Sequence, residues 1–171
     1  MRTLAWIGFG WLGVVFWTSA AVRIGPYHII PDAAVVVVAF LALRREPVPL
    51  ALVALGLGYL VGRQALGPFG LHESAMVICA IGVYMIAGHL AGSGTFFFGL
   101  ISGAAVMGYH VTLYVLLYIW RDTAGFAGTP TALLIPSALA TGALALVFHH
   151  PMLWFEKLLM PAQRNTGLSW H

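Results

Sequence analysis

The side chains in this chain that could do chemistry are histidines, a few acids and one cysteine, scattered among long apolar runs. Gly103, Met107, His110, Tyr114 and Tyr118 recur at helical spacing, with Arg121 after them. An ionisable side chain inside such a run is a candidate for ligand binding or proton transfer. The five Asp and Glu residues all fall at the ends of apolar runs or between them, so none is placed to relay a proton with His110. His110 is therefore expected to stay neutral and share hydrogen bonds with a neighbouring helix. His149-His150 closes another run, where histidine can meet the last helix carbonyls. Arg63 and Glu73 bracket a glycine-rich break; a solvated loop is expected there, with a vestibule lining as the alternative.

Enzymatic patterns are missing from the sequence. There is no Ser-His-acid arrangement, no paired carboxylates and no phosphate-cradling motif, and Gly92-Ser93-Gly94 is too short to hold a nucleotide. Cys79 is the single cysteine, which excludes an intramolecular disulfide, and no Cys/His spacing suits a metal. The expectation is a protein that is not an enzyme and holds no cofactor and no metal.

The elements that carry these residues must be membrane helices. Of 171 residues, 61% are hydrophobic and 8% charged, against about 45–50% and about 25% in soluble domains. So few charges cannot solvate a globule of this size, and such apolarity excludes disorder. At about 20 apolar residues per span, the chain has room for five or six. The fold class expected is an all-α integral membrane protein, a compact bundle of about six transmembrane helices. Net charge is only +3, and the basic residues stand singly or as the pair Arg44-Arg45. That pattern punctuates spans and does not track phosphates, so lipid is an expected partner and nucleic acid is not.

The first run, Leu4 to Val22, reads as an uncleaved first helix, and Arg23 to Pro31 as a short polar connection. The second span begins near Pro31-Asp32, with Pro suited to a first turn and Asp to the positive end of the helix dipole. Its apolar part, Ala33 to Leu43, is about 16 Å long. It must borrow Ile29 and Ile30 or sit deep within protein. The third span runs from about Val48 to Val61, the fourth from Ser74 to Leu90, the fifth from Phe96 to Trp120 and the sixth from Thr131 to Phe148. Residues 1–150 thus form the bundle. Residues 151–171 form an amphipathic interfacial helix, Met152 to Met160, and a loose tail. Glycines four apart, Gly58 and Gly62, Gly88 and Gly92, and Gly99 and Gly103, let helices approach closely. Packing within the chain is the expected use, with a partner helix as the alternative.

From Pro31 to about Leu90 the sequence resembles the bacterial rod shape-determining protein MreD family. The resemblance rests on Pro31-Asp32 opening the second span, the basic turn Arg44-Arg45-Glu46-Pro47, the glycine-containing third span Gly58-Tyr59-Leu60-Val61-Gly62, and Pro68-Phe69-Gly70-Leu71-His72. The chain departs from the pattern where the family's usual Asp falls on Gly62. The resemblance implies a fold like the substrate-binding S-components of vitamin transporters and a non-enzymatic scaffold role in cell-wall elongation. It also implies an MreC-type partner, in one assembly with RodA, a class-B penicillin-binding protein and MreB. Pro31, Asp32, Gly58 and Gly62 are then the expected partner contacts. An S-component-like vitamin binder is the alternative, with an outer pocket of Arg63, His72, Glu73, Tyr118 and Arg121.

Basic residues set orientation. Arg2, Arg44, Arg45, Lys157 and Arg164 fall on one side of a six-span path, and Arg23, Arg63 and Arg121 on the other. The richer side is expected to be cytoplasmic, with both termini. Reporter fusions after Arg45 and after Arg164 should read cytoplasmic and a fusion after Arg121 external; an external signal at Arg45 overturns this topology.

Overall fold

The computed structural model describes residues 2–19, 22–24, 27–29, 31–44, 47–65, 68–87, 89, 94–120 and 134–159. Among them the elements run α1 (Arg2–Ser19), β1 (Val22–Ile24), β2 (Tyr27–Ile29), α2 (Ala33–Leu43), α3 (Pro47–Ala65), α4 (Leu71–Ala87), α5 (Thr95–Trp120) and α6 (Leu134–Leu159). Helices make up the core, as expected. The stretches 88–93, 121–133 and 160–171 lie outside the described residues apart from His89. That leaves out the Gly88 and Gly92 pair, the Arg121 loop and the tail.

The organising element is α2. Its 11 residues are apolar on every side, and Ala33 through Ala42 are all buried. A helix without a polar face has no surface to show water and must be surrounded. Here α1, α3, α4, α5 and α6 all pack against it. Of the two sequence options for this short run, the structure takes burial within protein. Valines at 35–38 are modest helix formers, but their branched side chains fill the centre of the bundle. Asp32 starts the helix by accepting a hydrogen bond from the Val35 N–H, 3.1 Å, an N-cap. Arg44 ends it, its N–H donating to the Phe40 and Leu41 carbonyls.

Two connections differ from the sequence reading. The segment expected to be a polar connection holds an antiparallel ribbon, with Val22 opposite Ile29, Arg23 opposite His28 and Ile24 opposite Tyr27. Its alternation of β-branched or aromatic residues with polar ones around Gly25-Pro26 is a hairpin pattern. The second difference is at the end of the chain. The last helix does not stop at His149-His150 but runs through Pro151 to Leu159. Proline inside a helix removes a hydrogen bond and costs about 3 kcal/mol. Contacts beyond it offset that cost. Met152 is buried, and Phe155 stacks on Phe9 at 4.6 Å and meets Trp6 edge-on at 5.1 Å. The 152–159 segment is thus a continuation of α6 seated on α1, with Trp154 and Leu158 outward.

Glycines fix two helix crossings. A side-chain carbon on Gly58 would lie 2.7 Å from Glu73 Cα, so α3 and α4 touch backbone to backbone there. At α5–α6, a side-chain carbon on Gly142 would lie 3.1 Å from the Gly99 carbonyl, and one on Gly103 3.0 Å from the Ala138 carbonyl. By length and composition α5 and α6 can each cross a membrane, and the other four helices are shorter apolar helices.

Gly58→Ala should force α4 away from α3 and lower the thermal midpoint in detergent, by about 1–3 kcal/mol of overpacking. Gly8, with open space around it, should accept Ala without loss. Equal midpoints for the two variants would show that the α3–α4 contact is not tight.

Candidate functional site

The polar side chains converge where α2 begins. Because α2 is short and enclosed, its first turn lies inside the bundle and not at a surface. Asp32, partly buried, precedes that turn as its N-cap. Its carboxylate caps Val35, and its own N–H donates to Thr141 Oγ1 at 3.0 Å. Thr141 is fully buried in α6, with Ser137 one turn before it also buried. From α5, His110 is half-buried beside Tyr109, with ring centroids 5.5 Å apart.

The expected His110 stripe does not act as one face. Gly103 lies against α6, His110 is half-buried, Met107 is exposed, and Tyr118 is 81% exposed. The buried tyrosine of α5 is Tyr109, which sequence reading passed over. Its hydroxyl and His72 Nδ1 share a hydrogen bond of 2.7 Å, and both residues are buried. The sequence pattern sets His72 in the glycine-rich break before the fourth span. Gly70, at φ +86°, instead launches α4 directly, with Ser74 N–H and Oγ both donating to the Gly70 carbonyl. His72 is therefore the second helical residue, aimed inward at α5. A Gly-Leu-His sequence opening an apolar run was the available signal.

Glu73 follows His72 and is partly buried. Its Oε2 is buried without a hydrogen-bond partner among the described residues. A side-chain carbon on Gly62 would lie 3.6 Å from that oxygen and 3.3 Å from His72 Cβ. Midway along α4, the Cys79 thiol donates to the Ala105 carbonyl at 3.2 Å.

Of the four expected partner contacts, Pro31 and Gly58 are buried and Asp32 and Gly62 partly buried; Asp32 joins α2 to α6, and Gly58 and Gly62 lie against the His72-Glu73 turn of α4. Of the expected outer pocket, His72 is bonded to Tyr109, Glu73 lies against Gly62 of α3, Arg63 is exposed, Tyr118 points away from the bundle, and Arg121 lies outside the described residues.

The opposite end of the bundle is a lock. Arg44 pairs with Glu156 at 2.9 Å and stands over the Phe40 ring. His149, expected at a helix end, lies inside α6; its Nδ1 shares a hydrogen bond with Thr95 Oγ1, 2.9 Å. Among the described residues no set of three His, Cys, Asp or Glu could hold a metal ion. What the centre offers is hydrogen bonding.

Comparison with protein-family models, curated proteins and solved structures gives no match.

Tyr109→Phe removes the hydroxyl from His72 while keeping the ring. Interhelical hydrogen bonds in membrane proteins average about 0.6 kcal/mol with a maximum of about 1.7. A small drop in unfolding free energy within that range is expected in detergent. His72→Phe in the Tyr109→Phe background should add little, and full additivity of the two losses would show that the pair is not coupled.

Proposed function

We propose that this protein is a six-span scaffold of the bacterial cytoplasmic membrane, MreD-like and non-enzymatic, that supports rod shape and peptidoglycan synthesis. The observation that carries this reading is the meeting of the motif residues. Pro31-Asp32 opens the enclosed helix, and Gly58 and Gly62 receive the His72-Glu73 turn. The spacing that carries the resemblance is therefore the spacing of one packed α2–α3–α4 unit.

The membrane setting has its own support. Large apolar side chains face outward on α1 (Leu12, Phe16), α3 (Leu52, Leu55), α4 (Ile81, Met85), α5 (Leu100, Val111) and α6 (Leu139, Val147), with none on α2. Five helices with greasy exteriors around an enclosed sixth suit lipid as solvent. The Arg44–Glu156 contact places the α2–α3 turn beside the end of α6. That fits a cytoplasmic face carrying both termini.

Since Gly58 and Gly62 serve the chain's own packing, the MreC-type partner takes a different face. The outward ridge of α3, Leu52, Leu55 and Tyr59, is the docking face in this reading. RodA, the class-B penicillin-binding protein and MreB join through the same assembly. A vitamin-binding subunit is the second reading, favoured by the buried His72–Tyr109 pair.

Depletion in the native bacterium should disturb cell width or elongation, and an MreC-type protein should co-purify in mild detergent. Leu52→Ala/Leu55→Ala should weaken that capture without lowering protein level. Loss of vitamin uptake with normal cell shape replaces the scaffold by the transporter subunit.

A further inference from the structure

Two opposite charges stand where α3 gives way to α4. Arg63 lies in the last turn of α3 and Glu73 in the first turn of α4. Gly62, next to Arg63, lies against the Glu73 side chain; a side-chain carbon on it would be 3.6 Å from Oε2. The two charges thus flank one glycine. Among the described residues the ion pair formed is Arg44–Glu156, and Arg63 and Glu73 do not bridge. Arg63 is exposed and Glu73 partly buried. The Glu73 Oε2 is enclosed without a hydrogen-bond donor among the described residues, which leaves Oε1 as the oxygen open to one. Beside them Tyr59 and Phe69 meet edge-on at 6.3 Å, and both rings are exposed. Exposed aromatic rings at the end of an apolar helix suit the level of the lipid headgroups. Further along the two helices Leu55, Ile78 and Ile81 face outward.

We propose that this end of the bundle binds the headgroup of an ethanolamine phospholipid, the Arg63 guanidinium donating to its phosphate and its primary ammonium donating to the Glu73 carboxylate. That headgroup carries a negative and a positive group on a short carbon link, so one molecule answers both side chains. The guanidinium fork matches phosphate oxygens, and a hydrogen bond between an ammonium and a carboxylate is of the strong, charge-assisted kind. A choline headgroup has the same charges, but its nitrogen is fully methylated and has no N–H to give Glu73. A glycerol headgroup offers its phosphate to Arg63 and sets no cation against the carboxylate. The acyl chains of the bound lipid lie along the outward apolar faces of α3 and α4. This inference rests on the membrane setting and not on the scaffold role.

The test uses the full-length protein reconstituted in bilayers of equal parts ethanolamine, choline and glycerol phospholipids. After extraction in mild detergent, the lipids that stay bound are counted by native mass spectrometry. The wild type should retain the ethanolamine lipid over the choline lipid by roughly tenfold, the worth of one hydrogen bond between charged groups. Glu73→Gln should bring that ratio close to parity, and Arg63→Gln should lower retention of all three lipids. Lys157→Gln, at an exposed position in the last turn of α6, should leave the ratio unchanged. A wild type that retains the three lipids alike overturns the site. So does an ethanolamine preference that survives Glu73→Gln, or one lost equally in Lys157→Gln. If Glu73→Gln does not accumulate, Arg63→Gln at its exposed position decides: reduced retention of the ethanolamine lipid supports the site, and undiminished retention overturns it.

Discussion

Everything in this bundle is arranged around the need to enclose α2. An apolar helix of 11 residues is about 16 Å long, half of a bilayer's hydrocarbon core of about 30 Å. It cannot cross a membrane alone, and it has no polar face to show to water. Its only stable setting is the centre of a ring of helices. That setting carries a consequence, because the start of any helix leaves unpaired N–H groups. In the interior these cannot turn to solvent. Asp32 and Thr141 answer that requirement, one by capping Val35 and the other by accepting the Asp32 N–H.

The rest of the ring is set by close backbone approach and by side-chain locks. Gly58 and Gly62 bring the His72-Glu73 turn onto α3, while Gly99, Gly103 and Gly142 let α5 and α6 touch. Arg44–Glu156 and Thr95–His149 tie α2 and α5 to α6. Trp6, Phe9, Phe40 and Phe155 pack between them. The extension of α6 through Pro151 belongs to this lock, since Met152 and Phe155 lie beyond the proline. The polar centre is therefore held in both ways. Its polar groups sit on four different helices, so their relative positions depend on the ring staying closed.

For function, the division between inside and outside matters most. Of the residues with chemical character, His72 and Tyr109 are buried and Asp32 and His110 partly buried. The outer faces of α1, α3, α4, α5 and α6 are apolar. A scaffold that binds other membrane helices needs such outer faces, and a stable centre keeps them in fixed relation. The Gly58 and Gly62 pair is covered by the chain's own α4.

Much was legible from residue order. Local composition determined that the chain is helical and apolar. The helix limits follow from side-chain chemistry close in sequence: Pro31 and Asp32 before α2, Pro47 at the start of α3, and the apolar runs of α5 and α6. The alternation around Gly25-Pro26 held the ribbon signal, and Gly-Leu-His held the start of α4. What only the tertiary structure decided is which of these ends and faces lie inside. Asp32 reads as a surface cap until five neighbours enclose α2. The Gly58 and Gly62 pair serves a partner or an internal helix with identical local pattern, and only the position of α4 selects between them. His110 and Tyr109 are adjacent in sequence, yet a rotation of about 100° per residue buries Tyr109 against His72 and leaves His110 half-buried. Burial is a property of neighbours far along the chain. That is why the sequence placed the helices while the packing chose the site.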